Sequence, residues 1–164
     1  VHLLPPGLNL EFTVIDHRLQ QDEVAHSSSW SGYPVRFVHL VPMGEMASFY
    51  AMQDVLVAPS IWPESFGLVT REALSAGLWV IASDIGAIAE PIDHNRNGNV
   101  IPANDAKALA KTIQALLDSD EEGQMLQAAM VSRKEAAAIA SGEMAGALQY
   151  LVDADPAYSS KLSN

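Results

Sequence analysis

A chain of 164 residues, of which 49% are hydrophobic, has enough apolar material to bury the core of a single domain. The formal net charge is -11 and the 9 Lys and Arg residues are scattered, which argues against nucleic acid as a partner because polyanion binding depends on clustered cations. The absence of Cys excludes a disulfide scaffold and a thiolate metal site, and it fits a reducing compartment. No run reaches the roughly 18 apolar residues that a membrane-spanning helix needs.

The first half of the chain alternates short apolar runs with polar stretches. Three runs rich in β-branched and aromatic residues predict buried strands: Leu10–Ile15, Val35–Leu40 and Val55–Ala58. Between the first two, Arg18–Ala25 indicates a weak helix and His26–Gly32 a polar connector. Apolar residues at helical spacing over Met43–Met52 predict a helix with Tyr50 on its apolar face.

The second half continues this alternation and ends in helices. Further strands are predicted at Leu78–Ala82 and Asn99–Ile101. Helices are predicted, in chain order, at these places: Gly67–Ala76, a short segment after Gly86 that ends at Glu90, a helix capped by Asn104 or Asp105, Glu121–Ala140 and Glu143–Val152. Gly142 is expected to separate the last two because glycine is a poor helix former. Asp153–Asn164 is expected to be a loose tail.

Strands that alternate with helices indicate right-handed βαβ units. The expected fold is therefore α/β, with an open, Rossmann-like parallel sheet that carries helices on both faces. In such sheets, ligands bind beyond the carboxyl ends of the strands. The loops that follow Leu40, Ala58 and Ala82 are expected to meet at that edge and to carry the functional residues.

The stretch Pro59–Glu90 (PSIWPESFGLVTREALSAGLWVIASDIGAIAE) contains the residues best suited to bind a ligand. Gly67 stands where a loop becomes a helix, and the first N–H groups of a helix carry partial positive charge without intrahelical partners. A phosphate is stabilised at such a position without a basic side chain. One turn further on, Glu72 offers a carboxylate that accepts two hydrogen bonds, which suits the vicinal diol of a ribose. The pattern indicates a nucleotide sugar as the ligand.

Glu64 and Glu72 also have a simpler interpretation as solvated carboxylates. Acidic residues near a helix start are favoured by about 0.3–1 kcal/mol even where no ligand binds. Asp84 and Glu90 are interpreted as braces of the neighbouring loop rather than as ligands. No pair of His residues has the helical spacing of metal ligands, so no metal site is predicted.

The same stretch resembles the C-terminal, nucleotide-sugar-binding domain of the family-four retaining glycosyltransferases of GT-B architecture. These elements follow the family pattern in order: Glu64-x7-Glu72, Phe66-Gly67, Ala76-Gly77, Val80-Ile81-Ala82, Asp84-x-Gly86 and Glu90. Trp79 and Ala87 depart from it, because family members usually have Pro and Gly at these positions. Weaker similarity extends over Leu10–Leu117.

The resemblance implies a role for each candidate residue. Glu72 would hold the ribose, and Glu64 would be the catalytic-site carboxylate that positions the donor sugar without acting as a nucleophile. Backbone amides of one segment would meet the sugar and the distal phosphate: Ser65, Phe66, Gly67, Leu68 and Val69. Val41 would flank the base. The leaving diphosphate would take the acceptor proton, and the reaction would need neither a metal nor another cofactor.

The resemblance also implies further parts of the protein. Upstream of the Leu10 strand, family members carry a first strand of this domain, a basic pair that clamps the diphosphate and an N-terminal acceptor domain. Residues 1–152 are therefore expected to form a donor-binding domain that is truncated at its N-terminus. The first strand of a doubly wound sheet is central, so a gap is expected between the Leu10 and Val55 strands. The exposed edges would allow copies of the chain to associate.

The expected function is hexose transfer from a nucleotide diphosphate sugar to a sugar or lipid-linked acceptor by a longer protein, in polysaccharide or lipopolysaccharide biosynthesis. This chain would be inactive alone, because catalysis requires donor and acceptor to be held together. The expected location is the cytoplasm, with peripheral association at the inner face of the membrane. Two alternatives stay open. One is a binding or scaffold module without turnover, and the other is a nucleotide-sugar epimerase of the same architecture that releases the sugar to water.

Overall fold

The computed structural model of the chain describes residues 1–19, 26–118 and 120–154, which form two three-stranded sheets with helices packed around the second. The first sheet has the order β1-β3-β2, formed by Phe12–Ile15 (β1), His26–Trp30 (β2) and Tyr33–Val38 (β3). β1 runs parallel to β3, and β2 runs antiparallel to it. The strands predicted around Leu10 and Val35 are confirmed with slightly different ends.

The segment predicted to be a polar connector is instead strand β2, so that prediction was wrong. Ser31 and Gly32, between β2 and β3, have φ angles of 52° and 89°, the positive values that a two-residue type I′ hairpin turn requires. The Trp30 ring packs 5.6 Å from the ring of Phe37 and so anchors the hairpin through one aromatic pair. Most of the helix predicted over Arg18–Ala25 lies outside the described residues.

The second sheet is wholly parallel and has the order β4-β5-β6, formed by Val55–Ala58 (β4), Trp79–Ser83 (β5) and Gly98–Ile101 (β6). All five residues of the central strand β5 are buried, as expected for a parallel strand that is covered on both faces. Trp79 stands where members of the resembled family usually have Pro. Its indole N–H donates to Asn99 Oδ1 at 2.7 Å, so this larger side chain is buried with its polar group satisfied.

The helices follow the predicted order with two corrections. Their bounds are Met46–Ala51 (α1, preceded by a 3-10 turn over Met43–Glu45), Leu68–Ser75 (α2), Ala106–Leu117 (α3) and Glu121–Ala154 (α4). The short helix predicted to end at Glu90 was wrong: the segment forms turns, because the Ala87 N–H donates to the carbonyl of Glu64 across the sheet edge. Asp105 caps α3 by accepting from the N–H groups of Lys107 and Ala108.

The last helix, α4, is continuous through Gly142, so the predicted break was also wrong. Gly142 faces open space. Its cost of about 1 kcal/mol relative to alanine is outweighed by the alanine-rich sequence around it. The helix includes the first residues of the predicted tail, and 155–164 lie outside the described residues. Within the described segments, no helix has both the length and the hydropathy that crossing a bilayer requires.

Two hydrophobic clusters cover the two faces of the second sheet. One contains Trp79, Ile81 and Ile101 and is closed by side chains of α3 and α4; Tyr33 and Phe12 of the first sheet join it. The other lies beneath α1 and α2 and contains Tyr50, Ala73, Val80, Ala82 and Ile88. A parallel sheet with helices on both faces confirms the predicted α/β, Rossmann-like class.

The strands do not form the single open sheet that was expected. β1 and β4 are the end strands of separate sheets. β1 and β4 are therefore not paired with each other, and the gap expected between them, with a further strand in it, stays a prediction.

Candidate functional site

The candidate site lies where β4 and β5 end, at the carboxyl edge of the second sheet. Beyond these strands, Glu64 and Gly86 form an isolated parallel bridge, and the Ala87 N–H donates to Glu64 O at 2.8 Å. A side chain at residue 86 would clash, because a Cβ on Gly86 would lie 2.6 Å from the backbone N and O of Glu64. The close approach of two backbones therefore fixes the position of the Glu64 loop.

Helix α2 begins at Gly67, which adopts the left-handed conformation with φ 64° and ψ 52°. The buried Thr70 hydroxyl donates to Gly67 O at 2.8 Å and holds the first turn in place. The first intrahelical hydrogen bond of α2 runs from the Arg71 N–H to Gly67 O. The N–H groups of Leu68 and Val69 lie before it and have no intrahelical acceptor. Gly67 has no side chain with which to cap them. This helix start can receive an anion.

The carboxylate of Glu72 lies in the second turn of α2 and is exposed to solvent. The Tyr50 hydroxyl, from α1, donates to Glu72 Oε2 at 3.4 Å. Tyr50 is only 5% exposed. Burial and the adjacent Glu72 carboxylate raise the pKa of Tyr50 to about 12, so the hydroxyl stays a donor at neutral pH. One oxygen of Glu72 is thereby oriented by the core, and the carboxylate keeps acceptor capacity for a ligand.

Seven of the eight predicted site residues lie together on the loop after β4 and on α2. In that group Gly67 is buried, Val69 lies at the limit of exposure, and the side chains of the others are exposed: Glu64, Ser65, Phe66, Leu68 and Glu72. Val41 lies in the connection between β3 and α1, at the end of the first sheet. The structure therefore groups the donor-site candidates of one sheet and leaves Val41 on the other.

Exposed apolar side chains border the same loop. Trp62 is 73% exposed, and the Ser60 hydroxyl fixes its backbone by donating to Trp62 O and accepting from Trp62 N–H. Phe66 and Leu68 are each 58% exposed. Amide donors, carboxylate acceptors and apolar surface are thus side by side, a combination that suits a ligand with phosphates, hydroxyls and a ring.

Bracing interactions surround the site, as predicted for Asp84 and Glu90. Asp84 Oδ1 accepts from the Ala103 N–H at 2.8 Å and so ties the end of β5 to the segment after β6. Glu90 forms an ion pair with Arg71. The Tyr50–Glu72 hydrogen bond was not predicted from the sequence. Its one signal was a tyrosine on the apolar face of a predicted helix, and the pattern could not show that α1 packs beside α2.

We expect Tyr50→Phe to weaken nucleotide binding about 3- to 10-fold, because the hydrogen bond that orients Glu72 is worth about 1 kcal/mol.

Tyr50→Phe should also change how the stability of the protein depends on alkaline pH. The folded-state pKa of Tyr50 is raised from 10.0 to about 12, so the stabilisation from its neutral form is full below pH 10 and is lost as pH rises towards 12. Urea unfolding at pH 8 and pH 11 measures this. The decrease in the free energy of unfolding from pH 8 to pH 11 should be smaller in Tyr50→Phe than in wild type. Equal decreases in the two proteins would contradict a raised pKa of Tyr50.

The fold, with its glycine-opened helix at the carboxyl edge, is that of a Rossmann-like α/β domain. The family profile described as glycosyl transferases group 1 matches residues 28–133. The chain belongs to the glycosyl transferases group 1 family.

Two curated relatives carry the name phosphatidyl-myo-inositol mannosyltransferase. The protein from Mycobacterium leprae is 40% identical over 86 residues, which cover 52% of this chain and 23% of that protein. The protein from Mycolicibacterium smegmatis is 32% identical over 116 residues, which cover 71% of this chain and 29% of that protein. The chain thus spans about a quarter of the length of these relatives.

A solved structure of similar fold is the C-terminal domain of a glycosyl transferase group 1 family protein (LpcC) from Francisella tularensis. It superposes with a TM-score of 0.50 and 25% identity, and the match covers 62% of this chain and 50% of that one.

Proposed function

We propose that this chain is the donor-binding part of a retaining glycosyltransferase, which moves a hexose from a nucleoside diphosphate sugar to a sugar or lipid-linked acceptor. One observation carries the proposal. The first N–H groups of α2, at Leu68 and Val69, have no intrahelical acceptor, and the same helix carries the Glu72 carboxylate that Tyr50 orients. Membership of the glycosyl transferases group 1 family supports it.

In this proposal each group has one task. The pyrophosphate binds at the start of α2, where the amides around Ser65–Val69 and the helix dipole stabilise its charge. Glu72 accepts hydrogen bonds from the ribose hydroxyls. Val41, in the connection that leads into the helix of Tyr50, the partner of Glu72, flanks the base. Glu64, held by its bridge to Gly86, positions the donor sugar. These contacts require no metal and no other cofactor.

The transfer step needs little chemistry from the protein. The acceptor hydroxyl oxygen forms a bond to the anomeric carbon as the bond from that carbon to the phosphate oxygen breaks. The acceptor proton passes to the departing phosphate oxygen on the same face, which retains the anomeric configuration. Charge grows on the diphosphate during this step, and the amides at the α2 start are placed to stabilise it.

The names of the relatives support a less detailed proposal for the acceptor and for the cellular location. The names of the two mycobacterial relatives specify a mannosyl group and a phosphatidyl-inositol acceptor, which supports a hexose donor and a lipid-linked or polyol acceptor. We place the longer protein in the cytoplasm, at the inner face of the membrane, in agreement with a chain that lacks Cys. This chain alone is expected to bind donor without transferring it, because the acceptor is not held beside it.

Calorimetric titration with UDP, GDP and ADP, and with their hexose conjugates, tests the donor role. We expect one base to bind in the micromolar range and the sugar conjugate to bind comparably. A folded chain that binds none of these ligands would overturn the proposal in favour of a scaffold role. In the longer protein, release of sugar to water without transfer to any acceptor would identify an epimerase instead.

A further inference from the structure

The Arg71 side chain connects three parts of the candidate site. Its Nε–H donates to the carbonyl of Phe66 at 3.0 Å, and its Nη2 donates to Glu90 Oε2 at 2.9 Å. The guanidinium carbon also lies 4.6 Å from the centre of the Phe66 ring, a cation–π distance. One side chain on α2 therefore holds both the loop before the helix and the segment after β5.

These contacts indicate that Arg71 does not serve as the phosphate ligand. Its charge is paired with Glu90, and one edge of its planar fork is directed to the Phe66 carbonyl. The ion pair is partly exposed, with 33% of the Arg71 side chain and 64% of the Glu90 side chain accessible. Ion pairs of this kind contribute little to global stability, so the effect of the pair is local.

The local effect concerns the peptide between Phe66 and Gly67. Because a trans peptide is planar, its carbonyl and its N–H point in opposite directions. The Arg71 bond to Phe66 O therefore fixes where the Gly67 N–H points. If this peptide flipped, a carbonyl oxygen would replace an amide donor beside the anion and would repel it.

We infer that Arg71 is a positioning residue, which holds the Phe66–Gly67 peptide in the orientation that keeps the loop amides available to the donor diphosphate. This inference rests on the proposed function. Lysine cannot replace arginine here, because its single ammonium group can pair with Glu90 but offers neither the Nε–H donor nor a planar face for the Phe66 ring.

The test compares Arg71→Lys and Arg71→Gln with wild type. Nucleoside diphosphate affinity is measured by calorimetry, and amide hydrogen exchange of the 61–70 segment is measured without ligand. Both variants should weaken binding about 10-fold, to the same extent, and should speed exchange in this segment with little change in the thermal midpoint. The control is Arg96→Gln, which removes an arginine paired with Asp93 at 2.9 Å in the loop that precedes β6. Its affinity and exchange should match wild type.

The outcomes separate this inference from the proposed function. If Arg71→Lys binds as wild type while Arg71→Gln does not, the residue acts through its charge, on the phosphate or on Glu90, and not through its Nε–H, so the positioning role is wrong. Unchanged exchange in both variants also overturns it. If wild type binds no nucleotide, the proposed function fails. Faster exchange in the variants would in that case still show that Arg71 holds the loop.

Discussion

Gly67→Ala is expected to abolish nucleotide binding and to lower the free energy of unfolding by about 2–4 kcal/mol, the combined cost of a left-handed alanine and of overpacking. Gly67 has φ 64°, and a Cβ on it would lie 2.7 Å from Ile88 Cα and 3.0 Å from Ala87 O. Both obstacles are backbone atoms, so a rotamer change cannot relieve the clash. Either the first turn of α2 rotates or the segment after β5 moves away, and each displaces the amides that we propose bind the diphosphate.

Urea unfolding and calorimetry measure the two effects, with circular dichroism to show that the variant is folded under the binding conditions. Gly142→Ala is the matched control, because this glycine lies in a helix and a Cβ there meets open space. It should raise the free energy of unfolding by about 0.5–1 kcal/mol and leave affinity unchanged. Wild-type stability and affinity in Gly67→Ala would show that the left-handed helix start has no functional role.

The second sheet and the helices α2 and α3 could be predicted from the sequence because their signals are local. An all-apolar run ending at Pro59 gave β4, and Gly67 and Gly77 bounded α2 closely. The carboxyl-edge rule then placed the loops after β4 and β5 together, which the bridge between Glu64 and Gly86 confirms. Patterns within ten residues were sufficient for this half of the fold.

Other parts depend on contacts between distant residues. Strand β2 carries three serines on its exposed positions, and its turn uses a Ser with positive φ, so neither hydrophobic alternation nor a common turn pair signalled a hairpin. Its partner strand β3 supplied the missing stabilisation through backbone pairing and through Phe37, whose ring packs against Trp30. At Gly142 the local signal predicted a break that the structure does not have, because the alanine-rich neighbours of this glycine outweigh its low helix propensity.

The candidate site could likewise be predicted only in part from the sequence. Its backbone frame could be predicted from glycine positions and from the resemblance. The supporting side chains could not, because Tyr50 reaches Glu72 from another helix and Arg71 reaches Glu90 in the segment after β5. Sequence separation of 22 and 19 residues leaves no periodic signal for such pairs.

Glu72→Ala is expected to weaken nucleoside diphosphate binding on the order of 100-fold, because two hydrogen bonds from a diol to a charged acceptor are lost. Glu72→Gln should weaken it about 10-fold, since the amide keeps an acceptor oxygen without the charge. The free energy of unfolding should fall by about 1 kcal/mol in Glu72→Ala, which leaves the Tyr50 hydroxyl without its acceptor, and less in Glu72→Gln, which keeps an acceptor oxygen. Glu135→Ala, which removes an exposed glutamate from α4, is the control and should bind as wild type.

A 2′-deoxynucleoside diphosphate makes this test specific to the ribose. Wild type should bind the deoxy ligand about 10-fold more weakly than the ribo ligand, as expected for one lost hydrogen bond to a charged group. Glu72→Ala should bind both ligands equally, because the partner of the missing hydroxyl is already gone. If the variant still discriminated between the two ligands, another residue would bind the diol. The hydrogen bond from Tyr50 would then orient Glu72 for a purpose other than the ribose.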